Sequence, residues 1–374
     1  MKPLRPHINE LLQSGCILSS GSNEFWVGWG KSIKGSRPAV GLSSGEISLY
    51  TPDFFLKDPG PWSIFPCSCK LTRAELSTLL SGAPKCPDLS IEWKEAELQE
   101  FRLAFLDLQQ KFEGGTLRKA VPIVIEEGEL RDTQNPSDPI LSDSVLKYRA
   151  QLLFHLLRST QDFPLYIYGV WDQGEGILGA TPEILFEQTE PRRLSTVAIA
   201  GTRSRTPLGS HPPSLIDDPK ELEEHRIVIE GICNSLTELG DVKVGTTREL
   251  ELPTLVHLRT PVTLTFRDSE FNFETVARRL HPTPALGAFP KEPGRVWLEN
   301  YPLNRNRKRF GAPFGATWGT GESLCVVAIR NIQWQGAKYM IGAGCGVVPA
   351  SQLEKECDEL RAKIRSVKKS FVIL

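Results

Sequence analysis

The stretch PLYIYGVWDQGEGILGATPEILFE, residues 164–187, decides the fold class. PLYIYGV (164–170) and GILGA (176–180) are short, apolar and strand-like, and Pro182 with Glu183 opens a third such run, EILFE. The segment before it has a helical rhythm: Val145, Leu146, Leu152, Leu153, Leu156 and Leu157 mark one apolar face over 142–157. After it, a helix is expected over 219–237, with Pro219 near its first turn. Strands and helices are mixed without the regular alternation of a parallel α/β sheet, which agrees with an α+β fold.

Working outward, residues 1–95 are rich in Gly, Pro and Ser, and runs such as FWVGWG (25–30) and EISLYTP (46–52) predict strands joined by turns. A helix is expected over about 94–112, a largely buried strand over KAVPIVIEEG (119–128), and a loop over RDTQNPSDP (131–139). VTLTFR (262–267) reads as a strand and FNFETVARRLHP (271–282) as leading into a helix. SLCVVAIR (323–330) and GAKYMIG (336–342) are strand-like, and the tail from Leu353 is helical in pattern. No repeat, low-complexity segment or clear linker divides the chain, so residues 1–374 are expected to form one unit.

Composition narrows the function classes. Hydrophobic residues make up 40% and charged residues 24%, as in soluble globular proteins. With 44 basic and 45 acidic side chains the net charge is -1, which offers no global attraction for nucleic acid or an anionic membrane. The first twenty residues lack a sustained apolar stretch, and no apolar run reaches the length of a membrane span. The cysteines are Cys16, Cys67, Cys69, Cys86, Cys233, Cys325, Cys345 and Cys357, several inside apolar runs, as buried free thiols often are. A reducing, cytoplasmic setting is expected. Cys67 and Cys69 form a lone C-x-C with no second pair, a weak zinc signal.

Two acidic clusters point to chemistry: KELEEHR (220–226) and EKECDEL (354–360), both in helical segments. Glu221 and Glu224 are three apart, as are Glu356 and Glu359, so each pair shares one helix face. If the fold joins them, four carboxylates make an all-oxygen site for a hard divalent cation. The ordinary meaning of an acidic run, a solvated helix face, is kept for Glu223 and Glu354. Lys119, Glu183 and Arg330 sit inside or beside apolar runs, so they stand out as polar groups in strand surroundings. The basic segment 305–309, within NYPLNRNRKRF (300–310), reads as a solvated loop at least as readily as a binding patch.

The blocks LRKAVPIV (117–124), LGATPEILFE (178–187), IAGTRSR (199–205), KELEEHRIV (220–228), LPTLVHLRTP (252–261), LHPTPALGAFP (280–290), VVAIR (326–330), GCGVVPAS (344–351) and EKECDELRAK (354–363) together resemble the chorismate-utilising enzymes. That family includes anthranilate, aminodeoxychorismate, salicylate and isochorismate synthases, and the blocks occur in the family's order. The likeness covers roughly residues 95–370, so 1–95 is the more divergent part and 96–370 the expected catalytic core. LHPTPALGAFP is similar to the isochorismate branch, where anthranilate-type synthases typically show a PAGT-like sequence. The resemblance implies two large antiparallel sheets packed face to face, helices outside, and a site deep between the sheets. It implies chorismate as substrate, Mg²⁺ as cofactor, and no obligatory amidotransferase subunit, since no G-x-C-x-G with a downstream catalytic His is present.

The implied reaction moves a hydroxyl from C4 of chorismate to C2. Water adds at C2 while the C4 hydroxyl leaves, so a base and an acid are both needed. By resemblance Lys119 is the base, and Glu183, beside Ile184 and Leu185, is the acid. Glu224 and Glu356 are the Mg²⁺ ligands, with Glu221 and Glu359 in support. Arg330 would clamp the pyruvyl carboxylate with a bidentate fork. Gly344, Cys345 and Gly346 match the family's GAG, where small residues let backbone N–H groups approach a carboxylate, and Cys345 replaces the usual alanine. Lys363 would neutralise substrate charge. Gly201 and Thr202 match a turn beside the substrate, which is equally readable as an ordinary turn. His257 matches a family histidine and is as readily a structural one. His281, Thr283, Pro284 and Ala285 are expected to shape the wall that selects the nucleophile. The family often carries an acidic residue shortly before the block matched by FGAPFG (310–315), where this chain is basic. Salicylate synthase, an aminating synthase (aminodeoxychorismate or anthranilate) and a non-catalytic chorismate-binding protein are the alternatives. Menaquinone is the expected destination of the product, with siderophores the other route.

Overall fold

The two strand-like runs within 164–180 are strands, Tyr166–Trp171 and Glu175–Thr181, and they pair as a hairpin in the middle of a large sheet. The computed structural model describes residues 6–20, 23–43, 45–82, 89–135, 140, 142–206, 213–267 and 271–373. Cys86 and residues 136–139 of the expected loop lie outside the described residues.

The first sheet has nine strands. Their order is Cys67–Thr72, Glu24–Trp29, Gly15–Ser19, Tyr166–Trp171, Glu175–Thr181, Asn331–Gln335, Lys338–Gly344, Ile123–Asp132 and Leu89–Lys94. The second has ten. It runs Gly240–Val244, Leu255–Phe266, Arg193–Ser204, Ile184–Glu190, Ser323–Val327, Pro313–Trp318, Ile47–Tyr50, Trp62–Ile64 and Ile33–Gly35, with Arg248–Glu251 also pairing Leu255–Phe266. Both sheets are antiparallel throughout.

Strand alternation explains how the sheets stack. Cys16, Leu18 and Trp26 point to one side and meet Ile47, Leu49, Phe314 and Trp318 from the other sheet. Trp26 and Trp318 lie 6.0 Å apart across this layer, and Tyr168 and Phe314 5.0 Å. The intervening residues Ile17, Phe25 and Val27 join a second core. Leu152, Leu153, Leu156 and Leu157 of the helix Ser142–Ser159 belong to that same core. Each fully buried large apolar side chain contributes about 1.5–3 kcal/mol, so two opposed apolar faces per sheet hold the layers together. The helix Pro219–Leu236 packs on Arg193–Ser204, and the helix Leu353–Phe371 on Lys338–Gly344. Each sheet thus carries one of the acidic helices.

Several local expectations need correction. The helix expected from about 94 is Gln99–Glu113, because Leu89–Lys94 pairs as an edge strand with Ile123–Asp132. The strand expected over 119–128 is split into Lys119–Ala120 and Ile123–Asp132, since Pro122 has no N–H for a ladder. The strand SLCVVAIR ends at Val327, and Arg330 follows in a left-handed backbone conformation, φ 55°. The N-terminal part holds helices Ile8–Gln13 and Arg73–Ser81 besides its strands. The basic segment is not a solvated patch throughout: Arg307 is fully buried, its guanidinium 3.4 Å from the Phe54 ring centroid. The described cysteines form no disulfide. Among the described residues no helix is long and apolar enough to cross a membrane.

Candidate active site

The two acidic helices converge on one lysine. Asp218 caps Pro219–Leu236 by accepting from the backbone N–H groups of Lys220 and Glu221, which starts the helix so that residues 220, 221 and 224 share its first turns. Buried His225, through Nε2 to Thr260 Oγ1 at 2.7 Å, ties the helix to the strand Leu255–Phe266 and fixes the aim of Glu224. Lys220 Nζ lies 3.0 Å from Glu221 Oε1, 3.3 Å from Glu224 Oε2 and 3.0 Å from Glu356 Oε1. Burial alone would lower this lysine, but Glu224, Glu356, Glu221 and Glu359 outweigh it and raise it. Lys220 was not singled out in the sequence. The signal was there: it stands four residues before Glu224, on the same helix face.

On the far side of Glu224 is Lys119, wholly buried, with Nζ 3.1 Å from Glu224 Oε1. Burial would raise Glu224, yet Lys119, Lys220 and Lys363 together hold it down to about 2. Glu221 is instead raised to about 7, first by burial and then by Glu224. Glu356 is raised as well, first by burial, with Glu359 and Glu224 adding to it against the pull of Lys220. Gly346 is what lets Lys119 and Glu224 meet: a Cβ there would lie 1.9 Å from Glu224 Oε1 and 2.6 Å from Lys119 Cε.

A pocket opens beside this group, between the sheets. Glu183, Ile199, Ala200 and Thr202 line it from one sheet, and Gly342, Ala343 and Gly344 from the other. Ala285, Leu286 and Phe310 add a small and apolar wall, and Glu224, His257, Arg330, Gly346 and Lys363 complete it. Glu183 is buried, which raises its carboxyl to about 7 even though Lys119 and Lys363 pull it down and Thr283 hydrogen-bonds to it. Arg330 Nη2 donates to His257 Nε2 at 3.2 Å. That ring nitrogen is therefore an acceptor, and the imidazole hydrogen sits on Nδ1, 3.2 Å from the Gly201 carbonyl and 3.0 Å from Thr202 Oγ1. Burial, then Arg330 and Lys363, hold His257 well below its ordinary value, so it is neutral. The other end of the fork, Arg330 Nη1, is enclosed and has no hydrogen-bond partner among the described residues. A buried, unanswered guanidinium N–H facing a pocket is suited to an anionic oxygen.

The remaining expected residues fall into place unevenly. Gly201 and Thr202 form no turn but lie within the strand Arg193–Ser204, where Gly201, φ 75°, makes a bulge that lets the Thr202 N–H reach Glu221 Oε2 at 2.7 Å. Lys363 Nζ donates to the Gly344 carbonyl at 2.7 Å and pairs with Glu359 at 2.5 Å. Glu221, Glu356 and Glu359 line an outer groove that meets the pocket at Thr202. Glu223 and Glu354 are exposed, as expected of a solvated face. Cys345 needs correction: its side chain is buried in the large core and does not line the pocket, and burial pushes its thiol well up. His281 likewise belongs to the scaffold, with Nε2 2.7 Å from the Phe54 carbonyl. Pro182, Leu286, Phe310 and Ile329 line the pocket without having been anticipated, because nothing marks an apolar residue as a wall until its neighbours are known.

The donor set fits a hard cation, since the four glutamates offer only carboxylate oxygens and an ammonium already stands among three of them. As the side chains stand, no three His, Cys, Asp or Glu among the described residues close around one point. Lys220 fills that space.

Comparison with known proteins places the chain in a family. The family model described as chorismate binding enzyme matches residues 146–372. Isochorismate synthase MenF of Bacillus subtilis is 30% identical over 54% of this chain and 43% of its own length. Isochorismate synthase EntC of Escherichia coli is 32% identical over 53% of this chain and 51% of its own. The chain thus spans about half the length of the curated relatives it matches. The solved structure of MenF, the menaquinone-specific isochorismate synthase from Escherichia coli, has a TM-score of 0.74 at 17% identity, covering 99% of this chain and 92% of that one. That likeness extends the shared fold to almost the whole chain, whereas the family match begins after Lys119. With the match covering more than half of the sequence, this protein belongs to the chorismate-binding enzymes.

Proposed function

We propose that this protein converts chorismate to isochorismate. The observation that carries the reading is one pocket that presents a buried, raised carboxyl and an unanswered arginine N–H, with the buried Lys119 outside its lining and paired to Glu224, which does line it. Lys119, once it has given up its own proton, takes one from the water that adds at C2, and Glu183 gives its proton to the departing C4 hydroxyl. Arg330 holds one substrate carboxylate through Nη1, while His257, fixed as a neutral ring, holds the fork still. The backbone around Gly344 and Gly346 and the ammonium of Lys363 receive the other. Leu286, Phe310 and Ala285 supply the apolar wall of the pocket.

Glu224 and Glu356, supported by Glu221 and Glu359, would hold Mg²⁺, which supplies charge stabilisation for a ring carboxylate. The LHPTPALGAFP block supports the isochorismate branch over the aminating and salicylate-forming ones. Menaquinone synthesis is the destination proposed, in a cytoplasmic protein acting without an amidotransferase subunit.

The test is product analysis of the purified protein with chorismate and Mg²⁺, with and without ammonium. Isochorismate alone, abolished by a chelator, is the expected result. Salicylate with pyruvate, or an aminated product, would move the protein to another branch, and no turnover in either condition would leave a binding protein.

A further inference from the structure

We propose that Lys220 is a tethered counter-ion: its ammonium occupies the place of the divalent cation, lets the two acidic helices fold together without metal, and must leave before metal enters. This rests on the magnesium reading above. The ammonium touches Glu221, Glu224 and Glu356 at 3.0, 3.3 and 3.0 Å, and these residues come from two helices far apart in the sequence. Carboxylates buried this closely repel one another unless a positive charge stands between them. Mg²⁺ binds oxygen at about 2.0–2.1 Å, so an ion sharing these oxygens would overlap the ammonium. The two cations exclude each other by size as well as by charge. Glu356, only 2% exposed, keeps Oε2 without a hydrogen-bond partner among the described residues, an acceptor left open for an incoming ion. Lys220 also lines the outer groove together with Asp217 and Asp358, so an expelled ammonium has carboxylates to turn to.

Lys363 is the natural control. It too pairs with one of the four glutamates, Glu359, but its Nζ is bound to the Gly344 carbonyl and fills no common centre. Mn²⁺ binding to the full chain, followed by electron paramagnetic resonance, compares wild type, Lys220→Met and Lys363→Met. Lys220→Gln is run beside them as a polar replacement of similar length. The expected result is Mn²⁺ affinity at least about tenfold higher in both Lys220 variants, with a clearly smaller gain in Lys363→Met. In a chelator both Lys220 variants melt below wild type, and saturating Mg²⁺ reverses that order. Equal affinity in wild type and Lys220 variants would overturn the inference and leave the magnesium reading standing. An equal gain in Lys363→Met would overturn it too, by showing a general charge effect. No Mn²⁺ binding by any of the proteins would overturn both readings.

Discussion

Burial raises the Glu183 carboxyl to about 7 although two lysines pull the other way, and that sets a pH dependence with a definite sign. A general acid works only while it holds its proton, so activity should be retained below that value and lost as pH rises through it. The profile of kcat/KM for chorismate is expected to fall above about pH 7, and Glu183→Gln to remove that limb while lowering turnover at least about a hundredfold. A flat profile across that range, or near-normal turnover in the variant, would take the acid role from Glu183. At this scale the sequence was readable where a residue conflicts with its surroundings. Lys119 and Glu183 are charged groups in apolar runs, and both prove buried against the pocket group. Glu224 and Glu356 were readable from spacing. Cys345 was misplaced and Lys220 was missed, because the side to which a residue points and the partner it meets are set by elements distant in the chain.

At the level of elements, the site depends on how closely the turn after Lys338–Gly344 approaches the helix Pro219–Leu236. Gly346 is the point of closest approach, and a methyl group there would overlap Glu224 and press on Lys119. Gly346→Ala is expected to lower kcat about a hundredfold, the scale of a misplacement of roughly 1 Å at a reacting centre. Overpacking costs about 1–3 kcal/mol, which a chain of this size tolerates, so the variant should still unfold cooperatively. Wild-type kcat in a folded Gly346→Ala protein would show that the lysine and glutamate need not be held in contact. Element types were mostly legible from periodicity: the helices at 142–159, 219–236 and 353–371 stand close to where apolar spacing puts them. Boundaries failed where a single residue intervened. Pro122 cuts one strand in two, and the positive φ of Arg330 turns the chain away from its sheet and aims the side chain at His257.

For the whole molecule, strand order was beyond the sequence because every decisive pairing is non-local. Gly15–Ser19 pairs Tyr166–Trp171, Ile47–Tyr50 pairs Pro313–Trp318, and Ile123–Asp132 pairs Lys338–Gly344. Period-2 patterning says that a strand is buried, not which strand lies beside it. The same interleaving bears on where the catalytic unit begins. The family match spans residues 146–372, which holds the four glutamates, Glu183 and Arg330 but not Lys119. Removing residues 1–145 would strip a neighbour from Tyr166–Trp171, from Pro313–Trp318 and from Lys338–Gly344, leaving bare edges on both sheets. It would also uncover Tyr168 and Phe314 in the layer between them. A fragment of residues 146–374 made alone is therefore expected to show no cooperative thermal transition and no chorismate binding. Co-expression with residues 1–145 should restore both, because the missing strands are edge and central partners and not a separate domain. A fragment that melts cooperatively and binds chorismate unaided would mean that the part matched by the family model is self-sufficient. It would also mean that Lys119, upstream of it, serves the scaffold and not the chemistry.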